Sequence, residues 1–237
     1  MFAHRGGNAA GASNENTVAA FQSAVDSGCK YLETDVVLTK DNKVVTYHGS
    51  RTKREATETQ LLTRGQAQSL THRDLCSKLN LEVPLLEVVL QKFPKARFSI
   101  DLKTDEVVEP TAELIHRTNS ASKVCLASFS LRRLLRASKL VKGTELVALA
   151  YCIHPRLRGL IRAFPGVFLG TLAAKGVDCI HVHHKTVNRK IVKAAHSQGI
   201  VVYTWTVNTE TDFEKCIDLG VDGIISDETK LLSIRKM

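Results

Sequence analysis

The sequence has few aromatic side chains, no closely spaced cysteine pairs and no long apolar runs. Aromatic residues make up 5% of the 237 residues, which argues against repeated platforms for stacking nucleic-acid bases. None of the six cysteines forms a CxxC pair, which favours reduced, buried thiols over a disulfide framework or a zinc site. No stretch is apolar enough to span a membrane, and no leader-like segment opens the chain. We therefore expect a cytoplasmic protein, although a chain trimmed at its domain edge would show the same pattern.

Acidic residues are outnumbered by basic ones. The chain has 33 lysines and arginines against 24 aspartates and glutamates, a formal net charge of +9. Such a charge suits an anionic small molecule, an anionic membrane surface or nucleic acid, and does not choose among them. The apolar content of 43% is enough for one large core, and this length is common for an α/β barrel formed as a single domain.

The most informative stretch is 31–36, in which two carboxylates lie two residues apart inside an apolar strand pattern. Side chains alternate faces along a strand, so Glu33 and Asp35 point the same way. Two anions on one buried face repel each other and lose hydration. A hard divalent cation would make the pair favourable. The alternative is that one carboxylate pairs with a lysine or arginine while the other reaches solvent.

Strand and helix patterns alternate along the chain. We expect nine strands, with a hairpin-like link over 35–48 in place of a helical crossover. Helices are expected from about residue 16 to 27 and over 84–90, 131–140, 188–198 and 210–219. This alternation predicts a parallel sheet with helices outside it, either an α/β barrel or an open doubly wound sheet. Residues 49–80 are polar and poorly periodic, which predicts a loop-rich excursion with some helix, lying over a site.

Polar side chains gather at the ends of the first strands. Because the C-terminal strand ends of an α/β barrel form its active-site mouth, we expect these side chains to converge. A single histidine on an apolar strand is more often a core residue, whereas a convergent set indicates a site. The set is His4, Arg5, Glu33, Asp35, His48, Asp101 and Lys103.

These strand ends belong to a longer series of short motifs, which run in one order along nearly the whole chain. The motifs are His4-Arg5-Gly6, Glu15-Asn16-Thr17, Glu33-Thr34-Asp35-Val36, Thr39-Lys40-Asp41, His48, Val83-Pro84-Leu85-Leu86-Glu87, Ile100-Asp101-Leu102-Lys103, Ser128-Phe129, Trp205-Thr206-Val207-Asn208 and Gly220-Val221-Asp222-Gly223-Ile224-Ile225-Ser226-Asp227. Each is weak alone, but the ordered series resembles the glycerophosphodiester phosphodiesterase family, a group of phospholipase-C-like barrels.

The resemblance implies an irregular (β/α)8 TIM barrel, formed by residues 1–237 as one domain. It also implies a metal-dependent phosphodiesterase that releases an alcohol and sn-glycerol 3-phosphate. Glu33, Asp35 and Asp101 match the ligands of one divalent cation, Mg²⁺ or Ca²⁺. His4 and His48 match the acid/base pair, and imidazole suits that role because its unperturbed pKa of about 6.5 allows both protonation states near neutral pH.

The resemblance also assigns substrate contacts and shows two departures. Arg5 and Lys103 match phosphate-contacting positions, and Trp205 matches an aromatic residue at the pocket wall. Family members usually have Asp after the second histidine, where this chain has Gly49. They often have Glu at the position of Asp101, whose side chain is one methylene shorter.

Other functions remain open at this stage. A lysophospholipase D-like or sphingomyelinase D-like enzyme would use the same core residues on lysolipids. A catalytically silent phosphoester-binding barrel would bind metal without turnover. A nucleic-acid binder would show salt-sensitive affinity that ignores metal removal. We expect a small-molecule glycerophosphodiester or lysophospholipid as the partner, and no nucleic acid.

The run from His154 to Pro165 mixes basic and apolar residues. It suits either peripheral contact with an anionic membrane or an ordinary surface helix with one buried stripe. In the later strands, Phe129, Leu149, Tyr151 and Trp205 suit either an acyl groove or the barrel core. His181, His183 and His184 suit substrate or surface positions better than a second metal.

Overall fold

The computed structural model describes residues 1–7, 14–50, 62–149 and 164–231, and its centre is a closed ring of eight parallel strands. Going round the ring, the order is β1, β9, β8, β7, β6, β5, β4 and β2, and β2 pairs with β1 to close it. The expected (β/α)8 barrel is therefore confirmed. The strands are β1 Phe2–Ala3, β2 Tyr31–Leu38, β3 Val44–Thr46, β4 Arg97–Leu102, β5 Val124–Ser128, β6 Glu145–Leu149, β7 Cys179–His183, β8 Val201–Trp205 and β9 Gly223–Ser226.

The ninth strand, β3, is the irregular element. It runs antiparallel to the second half of β2, with Val36 opposite Thr46. The first half of β2 is covered by the two-residue strand β1, with Phe2 opposite Tyr31. The expected hairpin is thus confirmed, whereas the first strand, which the sequence pattern predicts over residues 2–6, ends at Ala3. The chain leaves the sheet after Ala3 and forms a 3₁₀ turn over His4–Gly6.

Helices connect the strands on the outside of the ring. They are α1 Val18–Asp26, α2 Arg64–Gln68, α3 His72–Leu79, α4 Leu86–Lys92, α5 Val108–Arg117, α6 Leu131–Leu140, α7 Pro165–Ala174, α8 Arg189–His196 and α9 Glu210–Asp218. Side-chain caps fix several starts: Thr17 Oγ1 accepts a hydrogen bond from the backbone N–H of Ala20 at 3.1 Å, for example. None of the helices in the described ranges has the length and apolar character needed to cross a bilayer. Of the loop-rich excursion at 49–80, residues 51–61 lie outside the described residues, and the rest carries α2 and α3.

Apolar side chains fill two layers. Leu32, Phe98 and Leu126 pack between the strands and the helices. Inside the ring, Val147 and Leu149 belong to a separate buried cluster that fills the lumen. Leu149 therefore belongs to the core and not to an acyl groove, and Tyr151 lies outside the described residues.

His181 also lies in the core of the ring and not at its mouth. Its ring centroid is 5.6 Å from that of Tyr203 and 6.4 Å from that of Phe2. Burial lowers the pKa of His181 to about 3, so this histidine is neutral at ordinary pH. The expectation of a substrate or surface position is wrong for His181.

The 3₁₀ turn depends on Gly6, which has a φ of +90° and packs against α1. A Cβ there would lie 2.6 Å from Ala20 Cβ and 2.8 Å from the Ala20 carbonyl carbon. We expect Gly6→Ala to lower the free energy of unfolding by about 2–4 kcal/mol through backbone strain and overpacking. Equilibrium urea unfolding measures this change.

The matched control is Gly28→Ala. Gly28 has nearly the same φ, +89°, but a Cβ there meets nothing within 4 Å. Gly28→Ala should lower the free energy of unfolding only by the cost of backbone strain, about 1 kcal/mol. Equal losses in the two variants would contradict the close packing of the turn on α1.

Candidate active site

Three carboxylates line the mouth because of the register between β2 and β4. Asp35 lies opposite Asp101, and Glu33 lies two pairs below, opposite Ser99. Since side chains alternate along each strand, all three carboxylates face the same side of the sheet. All three are buried, so their charges need partners within the protein.

Two cations pair with Asp35. Lys103 Nζ lies 2.5 Å from Asp35 Oδ1 and also contacts Asp101 Oδ2. Arg5 Nε lies 2.9 Å from Asp35 Oδ2, and Arg5 Nη1 donates a hydrogen bond to Glu15 Oε2 at 2.8 Å. Burial raises the pKa of Asp35, but Lys103 and Arg5 outweigh it, so the pKa lies well below its usual range. The ion pairing considered from the sequence is therefore present at Asp35.

Glu33 is in a different position. It does not reach solvent, and it accepts a hydrogen bond from the backbone N–H of Arg5 at 3.1 Å. Burial and the negative charge of Asp35 raise the pKa of Glu33 to about 7, despite the nearby cations. Burial likewise raises the pKa of Asp101, partly offset by Lys103. The mouth therefore carries more carboxylate charge than its two cations neutralise.

This surplus bears on a divalent cation. Asp101 Oδ1 is buried and has no hydrogen-bond partner in the described part of the chain. Carboxylate oxygens are the ligands that Mg²⁺ and Ca²⁺ prefer. The described residues nevertheless form no group of three or more His, Cys, Asp or Glu positioned to hold a metal, and Lys103 Nζ lies between Asp35 and Asp101. Glu33, Asp35 and Asp101 thus fit such a cation by donor type, provided that Lys103 moves away from at least one of them.

His4 lies on the 3₁₀ turn and is held by a carboxylate from the far end of the chain. Its Nδ1 is 2.7 Å from Asp227 Oδ1, and its Nε2 is 3.9 Å from Glu33 Oε2. Asp227 is fixed in turn by Asn208, whose Nδ2 donates to Asp227 Oδ2 at 2.7 Å. Burial raises the pKa of Asp227, but the hydrogen bond and charge of His4 and the hydrogen bond from Asn208 have the larger effect, so the pKa lies below its ordinary value. An ionised Asp227 therefore accepts the Nδ1–H of His4 and orients its ring.

His48 follows β3 and has a contrasting environment. Its Nδ1 is buried and has no hydrogen-bond partner among the described residues. Burial lowers the pKa of His48 to about 3. The negative charge of Asp35 raises this pKa, but the positive charges of Arg5, Lys103 and Arg64 lower it again. His48 is therefore neutral at ordinary pH.

The excursion fixes the loop that carries His48. Arg64, the first residue of α2, donates from Nε to the carbonyl oxygens of His48 and Gly49, each at 3.1 Å. A Cβ at position 49 would lie 3.0 Å from Arg64 Cγ and 3.0 Å from Tyr47 Cε1. A side chain at this position would therefore need its neighbours to shift by a few tenths of an ångström, and the φ of +57° at Gly49 also favours glycine, which gives a physical reason for the departure.

Aromatic side chains form the opposite wall. Trp205, at the end of β8, packs edge-to-face against Phe129 at 6.0 Å and against His183 at 5.3 Å between ring centroids. Lys103 Nζ lies 5.8 Å from the centroid of the Phe129 ring. Trp205 thus packs beside Phe129, which approaches Lys103, and its contact with a substrate stays a prediction.

Several supporting residues were not among the predicted site residues. Asn16 donates from Nδ2 to Asp35 Oδ2 at 3.2 Å and accepts from the hydroxyl of Thr34 at 2.7 Å. The sequence signal for Asn16 was its place in a motif, and the signal for Asp227 was its place after the last strand. Arg64 had no signal, because its role is to bond backbone carbonyls from a poorly periodic segment.

Comparison with known proteins identifies the family to which this chain belongs. The sequence model of the glycerophosphoryl diester phosphodiesterase family matches residues 4–231. The chain belongs to that family. It is 33% identical over 231 residues to the Mycobacterium tuberculosis protein named "Probable glycerophosphodiester phosphodiesterase 2", covering 92% of this chain and 83% of the relative. It is 28% identical over 270 residues to "Lysophospholipase D GDPD1" of Rattus norvegicus, covering 96% and 83%.

A solved structure shares the fold. The Oleispira antarctica phosphodiesterase in complex with the product sn-glycerol-3-phosphate matches with a TM-score of 0.75 at 19% identity, covering 98% of this chain and 94% of that one. The family expected from the ordered motifs is therefore confirmed, together with its barrel. The role of each site residue stays a prediction.

The hydrogen bond from His4 to Asp227 gives a test of positioning. We expect Asp227→Asn to lower kcat for a glycerophosphodiester by roughly 10²–10³, since the amide can present N–H to His4 and select the wrong tautomer. KM should change little, and the pH profile of kcat should shift. Steady-state kinetics across pH measures all three quantities.

Asp222→Asn is the matched control. Asp222 Oδ2 accepts from the backbone N–H of Val202 and from His196 Nε2, each at 2.8 Å, and Val202 lies near the start of β8, at the end of the barrel opposite the mouth. This variant should keep its kcat even if it loses stability. Equal kinetic losses in both variants would show that Asp227 is a structural residue only.

The raised pKa of Glu33 predicts how metal-free stability depends on pH. Between the ordinary pKa of a glutamate, 4.5, and the folded-state pKa of Glu33, about 7, the folded protein holds a proton that the unfolded chain has lost. The stability that Glu33 contributes is therefore complete below about pH 4.5 and is lost as pH rises through about 7. Glu33→Gln has no such loss. In EDTA it should be more stable than wild type by roughly 1–3 kcal/mol at about pH 8 and gain little at about pH 5.

Urea unfolding at the two pH values measures the difference. Glu15→Gln is the control, because it removes a carboxylate paired with Arg5 at the edge of the same site. A gain for Glu33→Gln that does not depend on pH would contradict the account of Glu33.

Proposed function

We propose that residues 1–237 form one barrel domain, a metal-dependent phosphodiesterase that hydrolyses glycerophosphodiesters to an alcohol and sn-glycerol 3-phosphate. One observation carries the proposal: two differently held histidines share a mouth with three buried carboxylates and two cations. The product named in the Oleispira structure and the names of the relatives support it.

Arg5 and Lys103 are the phosphate-binding groups in this proposal. A phosphodiester is anionic and repels nucleophiles, so cations beside its non-bridging oxygens stabilise the charge that builds up in the transition state. A divalent cation held by Glu33, Asp35 and Asp101 would supply Lewis-acid stabilisation of the same oxygens. The aromatic wall of Trp205 would bound the substrate on the other side.

The two histidines divide the proton transfers. His48 is neutral, so it accepts the proton of the attacking hydroxyl, which belongs either to water or to the neighbouring hydroxyl of the substrate. His4, whose Nδ1 is held by Asp227, donates a proton from Nε2 to the leaving alkoxide. If the substrate hydroxyl attacks first, the roles reverse when water opens the cyclic phosphate.

A lysophospholipase D is the second candidate. It would use the same residues on a substrate with an acyl chain, and release the headgroup and a lysophosphatidic acid. Two observations favour it: Phe129 is 38% exposed beside Lys103, and a relative carries the name lysophospholipase D. The two candidates differ in product and not in mechanism.

The test is product release from glycerophosphocholine and lysophosphatidylcholine with Mg²⁺, Ca²⁺ or EDTA. We expect EDTA to abolish release, and His4→Ala and His48→Ala each to lower kcat by roughly 10²–10⁴. His116→Ala is the control, because His116 is exposed on α5. The product, sn-glycerol 3-phosphate or lysophosphatidic acid, distinguishes the two candidates.

Full activity in EDTA would contradict the metal dependence. No release from either substrate, with glycerophosphoethanolamine and glycerophosphoinositol also intact, would favour the silent phosphoester-binding barrel.

A further inference from the structure

The positive charge of the chain is concentrated in one sector of the sequence, residues 146–209. This sector contains eight lysines and arginines and one acidic residue, Asp178; five of the eight lie in the described ranges, and Arg156, Arg158 and Arg162 lie outside them. The other 25 basic and 23 acidic residues nearly balance. This sector therefore carries most of the net charge of +9.

Helix α7, in the middle of this sector, has an exposed face without charge. It contains no charged residue, and its buried side is formed by Pro165, Leu169 and Leu172. Phe164, which precedes the helix, is 63% exposed, and Val167 is 74% exposed. These are the two most exposed large apolar side chains in the described part of the chain. A surface helix normally presents polar residues to water, so this face indicates a partner.

Both apolar residues lie on the active-site side of the barrel. A helix in this fold runs back from the C-terminal end of one strand to the N-terminal end of the next, so α7 starts near the mouth. The neighbouring helix α8 packs against α7, and its mouth-side end carries exposed basic residues. We call the set of Phe164, Val167, Lys185, Arg189 and Lys190 the α7 rim.

We propose that the α7 rim docks the protein on an anionic phospholipid membrane. Apolar side chains that enter the acyl boundary and lysines or arginines that meet anionic headgroups are the two components of peripheral membrane binding. The rim combines them. Residues 179–209 contain no acidic residue, and the nearby carboxylate of Asp212, on α9, pairs with His184 at 3.5 Å. Docking would turn the mouth towards the lipid surface, and the use of that orientation for substrate capture rests on the proposed function.

The test is co-sedimentation of the full chain with large unilamellar vesicles. One set contains phosphatidylcholine alone, and the other contains roughly one third phosphatidylserine. We expect binding to the anionic vesicles that weakens as salt is raised. Val167→Glu and the double variant Lys185→Glu/Arg189→Glu should each lower the bound fraction at least about tenfold.

Leu140→Glu is the matched control. Leu140 is also an exposed apolar residue, at 38%, but it ends α6 at the opposite end of the barrel. It should bind vesicles like wild type. Far-UV circular dichroism checks that each variant is folded, and neither it nor the binding measurement needs turnover, so a failure of docking and a failure of the proposed function are distinguishable.

Three outcomes would overturn the proposal. Equal binding to neutral and anionic vesicles would exclude headgroup recognition. Wild-type binding by Val167→Glu would exclude the α7 rim as the contact. Wild-type protein that stays in the supernatant with the anionic vesicles would exclude membrane docking. A dimer that Val167→Glu breaks, or binding to polynucleotide, would then assign the face to another partner.

Discussion

The organisation of the mouth depends on the burial of Lys103 between Asp35 and Asp101. Removing one member of a buried ion pair typically costs about 3–5 kcal/mol, because the remaining charge is left without a partner. The pairing is set by the register of β2 against β4, which places the two aspartates side by side. The pairing of β2 with β4 therefore also assembles the charged site, and the carboxylate surplus at Glu33 is the feature that leaves room for a further cation.

The shortness of β1 gives this site its remaining contacts. A strand that continued past Ala3 would place His4 and Arg5 on opposite faces of the sheet. The 3₁₀ turn instead brings Arg5 over β2, where its side chain reaches Asp35 and its N–H reaches Glu33. The hairpin strand β3 then covers the edge of β2 that β1 leaves open. The irregular start of the barrel thus allows His4 and Arg5, on one turn, to reach the same mouth.

Periodicity predicted what depends on neighbouring residues. The common face of Glu33 and Asp35, the hairpin after them and the alternation of later strands and helices all follow from local patterns. Contacts between distant segments could not be predicted in this way. The bond of Asp227 to His4 joins residues 223 positions apart, and Arg64 donates hydrogen bonds to the backbone carbonyls of His48 and Gly49. The resemblance supplied the family and the candidate residues, whereas the competition of Lys103 for the carboxylates appeared only in the structure.

The most direct measurement is a crystal structure with Mn²⁺ and sn-glycerol 3-phosphate, using anomalous scattering to locate the metal. The account predicts one anomalous peak bound by Glu33, Asp35 and Asp101, with Lys103 Nζ moved from between the aspartates towards the phosphate. It also predicts the phosphate within reach of His4 and His48. A phosphate bound with no metal peak, and with Lys103 still between Asp35 and Asp101, would contradict it.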